Sequence, residues 1–160
     1  MKKRICGILA VLMLTVLAGG VLAEQKVMLP DSRMSVTLPD ELEYDGPGTT
    51  AGDDADFAYV SPELGLEVWF LHYDSQGVTL EKLAEALQES YDRVVITRIG
   101  GTELLKYETT DPGDIFGEEM KCIGYVVMDG KQIQELVFWY ANQRAADLTA
   151  EIISTITDKD

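Results

Sequence analysis

Two runs in this chain, EVWFLHYD (Glu67 to Asp74) and ELVFWYAN (Glu135 to Asn142), are too apolar to be ordinary half-buried strands. Side chains alternate along a strand, so the first run sets Val68, Phe70 and His72 on one face and Trp69, Leu71 and Tyr73 on the other. The second sets Leu136, Phe138 and Tyr140 opposite Val137, Trp139 and Ala141. MKCIGYVVM, from Met120 to Met128, is likewise apolar on both sides. A strand of this kind needs cover on both faces, because large exposed apolar patches are unusual on soluble monomers. These three runs are therefore predicted at the centre of a sheet that is covered from above and below.

The rest of the chain supplies the partners. FAYVS (Phe57 to Ser61) precedes the first run across a Pro62-to-Gly65 turn. VVITRI and TELLKYETT flank Gly100-Gly101, and Asp129-Gly130 separates the Met120 run from the second aromatic run. All three junctions read as hairpins. RMSVTL (Arg33 to Leu38) alternates and stops at Pro39, which predicts a half-buried edge strand. The stretches YDGPGTTAGDDAD and DPGDIFGE are predicted loops, being rich in Gly, Asp and Thr or broken by Pro and Gly. After Gly77 the period becomes helical: Leu80, Leu83, Leu87 and Tyr91 share a face behind an N-cap at Thr79, with Glu81, Glu85 and Glu89 as a solvated stripe. Ala145, Leu148, Ile152, Ile153 and Ile156 make a second amphipathic helix near the C-terminus. The predicted class is α+β, a mainly antiparallel sheet of hairpins sandwiched by two helices in an α-β-α arrangement.

At the N-terminus, Lys2, Lys3 and Arg4 precede an apolar run from Ile5 to Leu17 and small residues ending at Ala23. This pattern is that of a secretory signal cleaved after Ala23, leaving residues 24–160 as a single domain outside the cytoplasm, in the bacterial cell envelope or beyond it. An uncleaved anchor is the rival reading. After cleavage no stable membrane insertion is expected. The full sequence has 28 acidic and 13 basic residues, and loss of the basic leader makes the remainder more acidic still. Nucleic acid and anionic lipid are accordingly poor partners. Of two cysteines only Cys122 would survive cleavage, so the core must hold without an internal disulfide, and Cys122 itself reads as a buried, inert thiol.

The order of these elements, with SVTLPDEL, TLEKLAEALQESY and LTAEIISTI at its strand end and two helices, resembles the PsbP-like superfamily over residues 33 to 157. That resemblance implies an α-β-α sandwich about an antiparallel sheet. It implies no particular site, and an accessory or binding module more than an enzyme.

Few residues offer chemistry. His72 is the only histidine, which excludes multi-histidine zinc sites; Asp74 lies near it in sequence, but no nucleophile motif accompanies them. Calcium is the metal to consider, because Asp53, Asp54 and Asp56 gather in one loop; Asp111, Asp114, Glu118 and Glu119 form a second acidic group, and neither fits EF-hand spacing. There is no phosphate-binding glycine loop and no cofactor motif. Trp69, Tyr73, Trp139 and Tyr140 are the candidate ligand contacts, the structural alternative being that they are core. The first expectation is a secreted non-enzymatic module binding an unknown protein or small ligand, with homodimerisation through the same strands open. The alternative is a small extracytoplasmic enzyme or a calcium-binding protein that uses the acidic loops and His72. An envelope component that self-associates is a third.

Overall fold

The computed structural model describes residues 23–47, 55–115 and 118–158. In chain order the elements are β1 (Glu24–Met28), β2 (Met34–Pro39), β3 (Glu43–Gly46), β4 (Phe57–Ser61), β5 (Leu66–Asp74), α1 (Leu80–Leu87), β6 (Arg93–Ile99), β7 (Thr102–Ile115), β8 (Glu118–Asp129), β9 (Gln132–Tyr140), α2 (Gln143–Ser154) and β10 (Thr157–Asp158). Seven strands form one antiparallel sheet in the order β3-β4-β5-β9-β8-β7-β6. The two aromatic runs, β5 and β9, lie side by side at its centre, in register from Leu66 opposite Tyr140 to Asp74 opposite Gln132. All three predicted hairpins form.

One face of this sheet carries Leu66, Val68 and Phe70 from β5, Leu136 and Phe138 from β9, and Ile123, Tyr125 and Val127 from β8, all buried in the main core. Each such side chain removed from water stabilises the fold by about 1.5–3 kcal/mol. The cover is α2, through Ala145, Ile152 and Ile153, together with a second, three-stranded sheet in the order β1-β2-β10. Asn142 caps α2 by accepting from Ala145 N at 2.9 Å, while its amide nitrogen donates to Leu64 O at 3.2 Å. Gly100, in the β6–β7 turn at φ +57°, lies so close to the Ser154 carbonyl that any Cβ would overlap it.

Among the described residues, α1 covers the opposite face over part of its width. Leu80 and Ala84, joined by Leu83 and Leu87, pack on Leu105, Tyr107, Val126 and Ile133. Thr79 caps this helix as expected, accepting from Lys82 N. Helices thus lie on both faces of an antiparallel sheet, and the fold is α+β.

Four expectations need correction. RMSVTL is not an edge strand: β2 lies between β1 and β10 and is buried along most of its length. Its flanking strands were hidden because EQKVM has one buried apolar position, Val27, and β10 is two residues long. Part of the first predicted loop is strand, since Tyr44 pairs with Tyr59 and packs against its ring. The DPGDIFGE stretch continues β7 as far as Ile115, with the register shift between Thr109 and Gly113 absorbing the proline and glycine. Finally, α1 ends at Leu87, so Tyr91 sits beyond the helix.

Candidate functional site

The partly covered face of the seven-stranded sheet gathers the unusual side chains. Alternation puts Glu67, Trp69, Leu71 and Tyr73 of β5 on this face, with Glu135, Val137 and Trp139 of β9 and Cys122, Gly124 and Val126 of β8 beside them. Cross-strand register sets Trp139 between Glu67 and Cys122, and Val137 between Trp69 and Gly124. The tryptophan rings consequently meet on a diagonal, 5.6 Å between centroids and inclined at 47°. Ala55, Leu71, Cys122 and Val137 are buried around them, and both indoles remain partly exposed.

Polar groups are built into this apolar floor. Trp69 Nε1 donates to Glu67 Oε1 at 2.7 Å, and Glu67 is fully buried. Trp139 Nε1 is buried with no hydrogen-bond partner among the described residues, an arrangement that native cores rarely tolerate. On the α1 side, Tyr107 reaches from β7 across β8 and its hydroxyl donates to Glu135 Oε1 at 2.5 Å. Its ring lies on Gly124, where a Cβ would overlap it, and Tyr91 packs on its other side at 4.3 Å. Burial, followed by the Glu135 charge, raises the Tyr107 pKa, so the phenol stays a donor. The same two causes push the Cys122 thiol up to about 12. A thiol held in that form is a poor nucleophile and a sound packing residue, as its sequence context predicted.

The four proposed contact residues divide. Trp69 and Trp139 come together. Tyr73 shares their face but stands at the far end of β5, 42% exposed, opposite Ile133. Tyr140 lies on the other face, packed against the main core. Of the proposed calcium ligands, Asp53 and Asp54 lie outside the described residues, and Asp56 turns its carboxylate to His72 Nδ1 at 2.8 Å. His72 is on the main-core face, away from the tryptophans, and Asp74 accepts from Gln76 N. Glu67, Glu135, Tyr107 and Gly124 were missed, although lone carboxylates and a lone glycine inside apolar strands are signals of a special environment.

Three recesses lined by described residues lie elsewhere. One of about 100 Å³ separates Leu38 and Pro39 from Leu148 and Ile152; broader ones of about 360 and 450 Å³ border α2 and β6. None of the three touches the tryptophan pair.

No protein-family model matches the chain, and no curated protein matches it in sequence. Solved structures do match in shape. The solution structure of cyanobacterial PsbP (CyanoP) from Synechocystis sp. PCC 6803 superposes with a TM-score of 0.57 at 9% identity, over 88% of this chain and 95% of that one. The fold is PsbP-like. A crystal structure from Bacteroides thetaiotaomicron VPI-5482 superposes with a TM-score of 0.62 at 14% identity, over 85% of this chain but 48% of that one, so the present chain spans about half the Bacteroides protein. Within the PsbP-like frame, the element order read from the sequence is borne out. Identities this low carry the fold across and leave the tryptophan face to be argued from its own residues.

Proposed function

We propose that this chain is a non-enzymatic binding or accessory module of the extracytoplasmic space, and that it contacts a protein or small ligand through the face around Trp69 and Trp139. The observation that carries the reading is the tryptophan pair itself, at 5.6 Å and partly exposed, beyond the part of the sheet that α1 covers. Tryptophan supplies a large rigid contact area with a polar handle, which is why it is enriched where one surface meets another. The buried Nε1 of Trp139 is a donor for a ligand acceptor that enters there. Two groups that chemistry would need are engaged otherwise: both nitrogens of His72 face carboxylates, and the Cys122 thiol stays protonated. The location rests on the leader-like residues 1–23.

Native mass spectrometry of the protein isolated from the extracytoplasmic fraction tests this. An adduct or a defined complex on the wild-type chain, absent from a folded Trp69→Ala/Trp139→Ala variant, is the expected result. A bare monomer for both proteins would count against the reading. A homodimer that persists in the variant would move the interface to another surface.

A further inference from the structure

His72 is the chain's only histidine, and both of its ring nitrogens face carboxylates. Nδ1 lies 2.8 Å from Asp56 Oδ2, and Nε2 lies 3.4 Å from Asp31 Oδ2. The two acids come from separate parts of the chain: Asp56 immediately precedes β4, and Asp31 forms the tip between β1 and β2, at a left-handed φ of 46°. A neutral imidazole carries one N–H, so it can donate to one of these carboxylates while its other nitrogen turns a lone pair toward the second. Only imidazolium satisfies both at once.

We propose that His72 is a proton-dependent clasp that fastens the tip of the β1–β2 hairpin to the central strand β5 through Asp31. The groups around it have the right signs. Asp56 and Asp31 supply the charges that act on His72. From β9 the neighbour in register is neutral Gln134, whose amide donates to Pro30 O at 2.9 Å. Asp74 on β5 and Asp129 at the end of β8 are further acids at this end of the sheet, the first accepting from Gln76 N and the second bound by the Ser32 hydroxyl. The hydrogen bond to Asp56 raises the His72 pKa above its ordinary 6.5 against the opposing effect of burial, and the charges of Asp56 and Asp31 act in the same upward direction.

The two arms differ in strength. Asp56 is 30% exposed and close, whereas Asp31 is 82% exposed and farther away. On deprotonation the single N–H stays with Asp56, and the Asp31 arm releases. Pro30 and Ser32 keep their bonds to Gln134 and Asp129, so the hairpin loosens at its tip without leaving the sheet. Because the folded pKa is raised, the clasp's contribution is fully present below pH 6.5 and disappears as pH rises through the folded value. The inference is independent of what the tryptophan face binds.

Nuclear magnetic resonance of the single imidazole tests the clasp on the full protein. Three results are expected: a titration midpoint above 6.5, both ring nitrogens protonated below it, and Asp31 and Ser32 amide shifts that follow the same curve. Asp31→Asn, at an exposed position that leaves the core intact, lowers the midpoint. A wild-type midpoint at or below 6.5, or one unmoved by Asp31→Asn, would overturn the proposal. His72→Gln adds a stability readout: the gap between wild type and variant in denaturant midpoint narrows from about pH 5 to about pH 8, and a gap independent of pH would contradict the clasp.

Discussion

Phe138 and Trp139 are neighbours in sequence and lie on opposite faces of the same strand. Phe138 is fully buried among Tyr125, Leu136 and the residues of α2. Trp139 stands beside Trp69 with part of its ring exposed and its indole nitrogen without a hydrogen-bond partner among the described residues. Both faces were equally apolar in the sequence, yet the described residues cover them unequally: a helix and a second sheet on one, an eight-residue helix over part of the other. Apolar patterning therefore tells which strands are central and does not tell how completely each face is covered.

Substitutions on the closed face should have the largest effects. Phe70→Ala removes a fully buried ring stacked on Phe57 at 4.7 Å and should cost about 3–5 kcal/mol, read as a fall in the urea midpoint. Gly124→Ala sharpens the contrast from the other side. It drives a methyl group into the Tyr107 ring and should cost about 1–3 kcal/mol, much of it recovered by adding Tyr107→Leu, because the smaller side chain vacates the space. An unaltered midpoint for Gly124→Ala alone would mean that Tyr107 does not lie on this strand in solution. Helix caps come last. Asn142→Ala should cost about 1 kcal/mol, since it holds both the start of α2 and Leu64 O, and Thr79→Ala less, since its bond is long and exposed. If Thr79→Ala proved the more damaging, α1 rather than α2 would be the critical cover.

Much of this fold was legible because its signals are periodic. The double-sided runs beginning at Glu67 and Glu135 identified the central strands, and the Gly100-Gly101 and Asp129-Gly130 turns fixed two hairpins. The three-stranded sheet was not legible, because β1 and β10 are held by pairing with β2 and carry almost no pattern of their own. The site was legible in half. Trp69 and Trp139 could be placed on strands, but their meeting depends on the register between β5 and β9, which no local signal encodes. For the same reason Asp31 and Asp56, distant in sequence from His72, gave no sign of joining it.

The tryptophan face is partly open to solvent and the phenylalanine face is a core. Equilibrium unfolding of Trp139→Ala beside Phe138→Ala tests this difference, because the two sites share a strand and differ only in face. A loss of about 3–5 kcal/mol is expected for Phe138→Ala and at most about half of that for Trp139→Ala. Equal losses would mean that Trp139 is as much a part of the core as Phe138, and would remove the support for the proposed binding face.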